Sequence, residues 1–162
     1  MPPPKFTKSI QQGLLDRLID LEPHNRQEPP VTRAESLRQL RAAVKRDLEW
    51  LLNTTRMPIE VPEACEEVNS SVLFYGLPDT ACVYVHDAGE QQQVLRSLQT
   101  TIENFEPRLV NVRVTSRDRY RPGQQALTFH VEATLMIDPA PERISFDTVL
   151  EISKGAYSVK ET

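Results

Sequence analysis

The spacing of apolar residues changes once along this 162-residue chain, in the short stretch between Phe105 and Leu109. Before this stretch, apolar residues recur three or four positions apart, which is the period of an amphipathic helix. After it, they alternate with polar residues, which is typical of a half-buried strand. The order predicts an α+β fold, with three helices packed against an antiparallel meander of three to four β-strands.

Prolines define the organisation of the N-terminal part. Residues 1–8 are expected to be a disordered tail, and apolar residues at helical spacing predict a first helix over 9–21. Residues 22–31 contain three prolines among polar residues, which predicts a linker because proline lacks the backbone donor that a helix needs. We therefore expect one compact α+β domain over 32–162.

Two longer helices are predicted inside this domain. Thr32 and Glu35 have the spacing of a capping box, and the apolar stripe behind them extends the second helix to Asn53. The third helix should begin at Asp87 and end before Pro107. The residues expected on its buried face are Val94, Leu98, Ile102 and Phe105.

Alternation predicts three strands and a short fourth one. The apolar positions of the first strand are Val110, Val112 and Val114. The second strand is the longest, over 127–137, with an apolar residue at every odd position. The apolar positions of the third strand are Ile144, Phe146, Leu150 and Ile152. A last strand is predicted over 156–159, so that consecutive strands pair antiparallel.

Composition argues against several classes of protein. No apolar run approaches the length of about 20 residues that spans a bilayer, and the N-terminus has no apolar signal core. A net charge of −4 argues against a nucleic-acid partner. The two cysteines, Cys65 and Cys82, fit neither a disulfide framework nor a zinc site. We expect a cytoplasmic protein without membrane insertion.

The sequence contains no recognisable catalytic, cofactor-binding or metal-binding motif. The histidines are His24, His86 and His130, and their scatter predicts no metal site. An acid pair like that of a muramidase-like glycoside hydrolase stays open as the alternative function. Its candidate residues are Glu66, Glu67, Glu103 and Glu106, although solvated surface positions are the interpretation we favour.

Basic residues form two groups. The first is a predicted hairpin tip with Arg113, Arg117, Arg119, Tyr120 and Arg121. Arginines and a tyrosine could bind RNA through phosphate contacts and stacking, but a solvated turn or a protein contact suits an acidic chain better. The second group lies along the second helix and consists of Arg38, Arg41 and Lys45. It is either a solvated face or a docking surface for an acidic partner.

The tripeptide Glu106-Pro107-Arg108 lies where the third helix ends and the first strand begins. Proline accounts for the end of the helix, but it leaves the opposite charges on its two sides unexplained. The Arg108 guanidinium is suited to a bidentate bond with a carboxylate, either Glu106 or an acid on a partner. From the residues alone, a helix stop with incidental flanking charges is the favoured interpretation, and a protein-interaction motif stays open.

Four stretches, taken in order, resemble TssE, the family of baseplate subunits in bacterial type VI secretion systems. They are residues 14–18, 44–56, 71–79 and 105–109. The chain departs from the family pattern at Phe74, where a polar residue is expected, and at Thr55, a second threonine. The resemblance covers most of residues 9–137. The TssE family is itself similar to the small baseplate wedge protein of contractile phage tails.

This resemblance implies a structural protein that shares the core fold of sheath subunits. It would contact the wedge proteins TssF and TssG and present the surface from which the first ring of the sheath subunits TssB and TssC polymerises. The family's Glu-Pro-Arg hallmark is tied to sheath assembly and maps onto Glu106, Pro107 and Arg108, so the resemblance implies that these three residues form a protein-interaction site. The resemblance implies no enzymatic activity and places the protein in a baseplate on the cytoplasmic side of the inner membrane.

Overall fold

The computed structural model describes residues 10, 12–19, 24, 32–59, 61–62, 65–79, 88–117, 126–151 and 155–161. The predicted tail at 1–8 lies outside these residues, and so does the predicted linker at 22–31, with the exception of His24. The described chain divides into two compact units, one up to Val44 and one from Lys45 onward. The single domain over 32–162 stays a prediction.

Helices precede strands, as the change of period predicts. The helices are α1 (Leu14–Leu18), α2 (Arg33–Asn53) and α3 (Ala88–Phe105), with single turns of 3-10 helix at Glu66–Ser70 and Val72–Phe74. The strands are β1 (Leu109–Ser116), β2 (Ala126–Leu135), β3 (Glu142–Glu151) and β4 (Ala156–Glu161). Each strand pairs antiparallel with the next, in the order β1-β2-β3-β4. The α+β fold and its meander are therefore confirmed.

The helix ends agree with the sequence in α2 and differ in α1. Thr32 caps α2, because Glu35 N donates to Thr32 Oγ1 over 3.2 Å. The helix ends at Asn53, as predicted. The first helix is shorter than 9–21, because the extended backbone of Gly13 and Ile19 limits it to Leu14–Leu18. The predicted start of α3 at Asp87 lies outside the described residues.

The core side of the sheet follows the predicted alternation in β2 and β3. Every apolar position of β2 from Leu127 to Leu135 is buried, and the strand ends there, two residues before the predicted end. In β3, Ile144, Phe146 and Leu150 are buried as expected. Thr148 fills the gap between them and is only 1% exposed. Ile152 lies outside the described residues.

A β-bulge shifts the alternation in β1. Val110 pairs with Thr134 but Arg113 pairs with Glu132, so that β1 contains one residue more than β2 over this interval. Asn111 occupies the bulge with a φ of 55°, a left-handed conformation that asparagine tolerates better than most residues. The extra residue makes Leu109 a core residue and leaves Val110 only partly buried, so the prediction for Val110 was wrong.

Side chains of α2 cover part of the outer edge of β4. Asn53 Nδ2 donates to Tyr157 O, and Tyr157 N donates to Asn53 Oδ1, both over 2.9 Å. One turn earlier, Glu49 Oε1 accepts a hydrogen bond of 3.0 Å from Val159 N. The amide of Asn53 therefore makes the two bonds that a residue of a neighbouring strand would make. We call these two side chains and their three bonds the β4 clasp.

Replacing Asn53 with alanine should lower the free energy of unfolding by about 2–3 kcal/mol, because the backbone N–H and the backbone carbonyl of the buried Tyr157 lose the Asn53 amide as their partner. Urea denaturation measures this loss, and hydrogen exchange should show faster exchange at Tyr157 N. Gln99→Ala is the matched control, because it removes an exposed helical amide that bonds Glu103 over 3.0 Å. It should change stability by less than about 0.5 kcal/mol. Equal effects of the two substitutions would contradict a structural role for the clasp.

Candidate functional site

The turn that contains Glu106-Pro107-Arg108 is fixed by backbone hydrogen bonds at both ends. Glu106 N donates to Ile102 O over 2.9 Å, which is the bond that ends α3. Leu109 N donates to Glu106 O over 3.0 Å and closes the turn into β1. Met136 N then donates to Arg108 O over 2.9 Å, which joins the turn to the residue after β2. The backbone of the turn is therefore held in place by the fold.

Glu106 and Arg108 form a bidentate ion pair across Pro107. Arg108 Nε donates to Glu106 Oε1 over 2.6 Å, and Arg108 Nη2 donates to Glu106 Oε2 over 2.5 Å. Only 6% of the Glu106 side chain is exposed, whereas Pro107 is exposed. The favoured interpretation of Glu106 as a solvated surface acid was therefore wrong. Its burial is possible because the guanidinium compensates the carboxylate charge.

Asp47 of α2 is a second carboxylate partner of Arg108. Arg108 Nη2 donates to Asp47 Oδ2 over 2.6 Å. The other oxygen, Asp47 Oδ1, accepts from Arg46 Nε over 3.0 Å and from Arg46 Nη2 over 2.7 Å. The hydrogen bond to Glu106 raises the pKa of Arg108, burial opposes this, and the bond to Asp47 raises the pKa further. The guanidinium is thus charged throughout the physiological range.

We call Arg46, Asp47, Glu106 and Arg108 the charge cluster. Its two cations and two carboxylates compensate each other, so the cluster has a formal charge of zero. Salt bridges of this kind, in which every carboxylate oxygen already accepts from a guanidinium, hold a shape rather than attract a mobile ligand. The cluster is therefore suited to hold α2 and the turn in one fixed geometry.

Aromatic residues border the charge cluster on two sides. The Arg46 guanidinium lies 5.1 Å from the ring centroid of Trp50, in cation–π geometry. Trp50 is 54% exposed, so an amphipathic ring faces solvent beside the cluster. On another side, Tyr75 packs edge-on against Phe105, with ring centroids 5.5 Å apart. Burial, followed by the charges of Asp47 and Glu106, raises the pKa of Tyr75, which keeps its hydroxyl protonated.

The basic group predicted along α2 contains side chains in different environments. Arg38 is exposed and forms an ion pair with Glu35, one turn earlier on the helix. Arg41 and Lys45 are partly buried. The role of Arg38, Arg41 and Lys45 in binding a partner stays a prediction.

The described part of the basic hairpin tip is partly neutralised. Arg117 Nη1 donates to Asp147 Oδ2 over 2.8 Å on the polar face of the sheet. The other oxygen of Asp147 lies 2.7 Å from His130 Nδ1. Arg113 is exposed on the same face, and residues 119–121 lie outside the described residues. This pairing weakens the RNA-binding alternative, because Arg117 already has a carboxylate partner.

The candidate acids of the hydrolase alternative do not form a described pair. Glu106 is bound to Arg108, Glu67 is exposed, and Glu103 is exposed and accepts a hydrogen bond from Gln99. The side chain of Glu66 lies outside the described part.

In the residues that the structure describes, no group of three His, Cys, Asp or Glu side chains is placed to hold a metal ion. No described helix is long and apolar enough to cross a bilayer.

Sequence reasoning singled out the turn, whose role as a protein-interaction site stays a prediction, but it missed the residues around the turn. Asp47, Arg46 and Tyr75 all lie within the stretches 44–56 and 71–79 that carry the family resemblance. Nothing in their local spacing indicates a contact with Arg108, which is 61 positions after Asp47. The signal that could have found them was the presence of charged and aromatic residues in those two stretches.

The described residues thus form an α+β fold with an internally compensated charge cluster beside an exposed tryptophan, which is a structural arrangement and has no described catalytic group. The chain belongs to the family of baseplate wedge protein gp25, whose sequence profile matches residues 38–140. It is accordingly a structural component of the contractile-tail type of baseplate, and it interacts with other baseplate or tail components. No match was found among curated proteins or among solved structures.

Proposed function

We propose that this protein is a TssE-type sheath initiator, which joins the baseplate wedge of a type VI secretion apparatus to its contractile sheath. The observation that carries the proposal is the charge cluster at the turn Glu106-Pro107-Arg108, in a chain of the baseplate wedge family. The cluster fixes the junction between α3 and β1 relative to α2. Such a fixed junction suits a subunit that must set the orientation of everything assembled on it.

The surface next to the cluster has the properties of a protein contact. Pro107 and Trp50 are exposed, and tryptophan is among the residues that contribute most to binding at protein interfaces. We propose that TssF and TssG of the wedge contact this surface and that the sheath subunits TssB and TssC contact the sheet. The assembly would form on the cytoplasmic side of the inner membrane.

Sheath formation in bacteria tests this proposal. Cells that lack the protein and express a fluorescent sheath subunit should form no extended sheaths, and wild-type protein should restore them. Arg108→Lys should restore few, because lysine retains the charge but cannot make the forked bonds to Glu106 and Asp47.

The control for this substitution is Arg96→Ala, which removes an exposed arginine from α3. Arg96→Ala should restore sheaths at the wild-type frequency. Purified Arg108→Lys should give a folded circular dichroism spectrum, which separates an assembly defect from unfolding. Normal sheaths in cells that lack the protein would contradict the proposed function.

A further inference from the structure

The two positions at which the chain departs from the family pattern, Thr55 and Phe74, lie close together in the structure. Arg56 N donates to Leu77 O and Leu77 N donates to Thr54 O, each over 2.8 Å, so the segment after α2 pairs with the segment after the second 3-10 turn. The Arg56 guanidinium lies over the ring of Phe74, 5.7 Å from its centroid. Both departures therefore belong to one contact, because Thr55 directly precedes the arginine and Phe74 supplies the ring.

Arg56 differs in its charge partners from the two arginines of the charge cluster. Arg46 and Arg108 each bind a carboxylate of the cluster. Within the residues that the structure describes, the guanidinium of Arg56 contacts the Phe74 ring and forms no ion pair. A guanidinium that covers a ring with one face can still donate the N–H groups in its plane to a carboxylate. Because the ring and the backbone bonds already restrict Arg56, a carboxylate that binds it loses less conformational entropy.

Exposed apolar side chains flank this contact on both of its segments. Met57 directly follows Arg56, and Val72 and Leu73 directly precede Phe74. Val72 is 88% exposed, and more than half of Met57 and of Leu73 is exposed. Large apolar side chains that gather at a surface mark contacts with other proteins. We call Arg56, Met57, Val72, Leu73 and Phe74 the arginine–phenylalanine surface.

We propose that the arginine–phenylalanine surface binds a segment of a wedge subunit in which an aspartate or glutamate stands among apolar residues. The carboxylate of this segment accepts a forked, charge-assisted bond from Arg56, whose charge no described carboxylate compensates. The apolar neighbours of the carboxylate pack on the exposed apolar side chains of the surface. Charge complementarity and apolar burial at adjacent points together fix the register of the segment.

The choice of a wedge subunit as the partner follows from the position of the surface. Thr54 Oγ1 donates to Trp50 O over 2.7 Å, just after the end of α2. The surface therefore begins about one helical turn from the exposed Trp50, which belongs to the proposed wedge contact. The inference rests on the proposed function in this respect. It goes further by assigning the chemistry of the bound segment and by placing the contact at the positions where this chain departs from its family.

Binding of the full-length protein to the purified TssF–TssG complex of the same bacterium tests the surface. Arg56→Glu should raise the Kd about 10- to 100-fold, because a charge-assisted bond is replaced by repulsion. Leu73→Ser should raise it about five- to tenfold, because apolar contact area is lost at an exposed position that folding does not need. Arg96→Glu is the matched control, since it reverses an exposed arginine on α3, and it should bind like the wild type. Circular dichroism confirms that each variant is folded.

Photocrosslinking identifies the bound segment. With Leu73 replaced by the photoreactive residue p-benzoylphenylalanine, mass spectrometry should find a crosslinked peptide of TssF or TssG that contains an acid among apolar residues. Changing that acid to lysine should restore the affinity of Arg56→Glu.

The inference is overturned by wild-type affinity of either Arg56→Glu or Leu73→Ser, by a crosslink to a second copy of this chain, or by a crosslinked segment without an acid. Sheaths are counted in cells with and without the protein, so that the proposed function is judged separately. If sheath number depends on the protein while any of these results holds, only the docking surface is rejected. If sheaths form without the protein, the proposed function fails as well.

Discussion

Replacing Arg108 with alanine should lower the free energy of unfolding by about 2–4 kcal/mol, because it leaves the Glu106 carboxylate buried without its counter-charge. A fully buried pair would lose more, but 28% of the Arg108 side chain is exposed and water can partly replace it. For a domain of this size, the loss corresponds to a decrease in melting temperature of about 5–15 °C. Thermal unfolding followed by circular dichroism measures it.

The double variant Glu106→Gln/Arg108→Ala separates the ion pair from simple loss of packing. With Glu106 neutral, removal of the guanidinium no longer leaves an unpaired buried charge, so the double variant should be more stable than Arg108→Ala alone. The coupling energy from the complete cycle should be about 1–3 kcal/mol. If Arg108→Ala were as stable as the wild type, the guanidinium would not be needed for folding and would be available to a partner.

The stability of Arg108→Ala bears on a question that the sequence leaves open, namely which carboxylate binds Arg108. From spacing alone, its carboxylate partner could be Glu106 or an acid on another protein. In the structure, both Glu106 and Asp47 bind it within the same chain. Under the proposed function, we therefore expect the motif to act on partners through the shape that it fixes, so that a substitution of Arg108 changes assembly and stability together.

Local patterns predicted the elements of the fold because local rules determine them. The alternation in β2 requires only that one face of a strand be buried, and the Thr32 cap requires only the spacing of Thr32 and Glu35. The shift at Val110 could not be predicted, because an unbroken alternation looks the same with or without a bulge at Asn111. The burial of Thr148 could not be predicted either, because its side chain is polar although its position in β3 faces the core.

The contacts that make the site depend on tertiary structure. Asp47 meets Arg108, and Asn53 meets Tyr157, across 61 and 104 positions of the chain. Helix periodicity places Asp47 and Asn53 on α2 but gives no information about which strand lies beside them. The family resemblance marked the stretch 44–56 as important without assigning these partners, which only the packing of α2 on the sheet determines.

Replacing Gly76 with alanine should have the largest effect on the segment that follows the 3-10 turns. Gly76 has a φ of 105°, and a Cβ built there would lie 2.2 Å from Thr54 O. That oxygen accepts from Leu77 N over 2.8 Å, and Leu77 O accepts from Arg56 N over 2.8 Å. A Cβ at position 76 must push residues 54–56 and residue 77 apart, and this exposes Leu77, which is buried. We expect a loss of at least about 3 kcal/mol, measured by urea denaturation.

Gly155→Ala distinguishes this steric clash from the general cost of losing a glycine. Gly155 has a φ of 60°, which lies in the left-handed region that other residues enter at a cost of about 1–2 kcal/mol. Hydrogen exchange should show lost protection at Leu77 N and Arg56 N in Gly76→Ala, and unchanged protection at both in Gly155→Ala. Equal destabilisation by the two substitutions would mean that backbone conformation alone accounts for the effect. A larger loss in Gly76→Ala, confined to the bonds between 54–56 and 77, would show that close approach of two backbones requires glycine at this position.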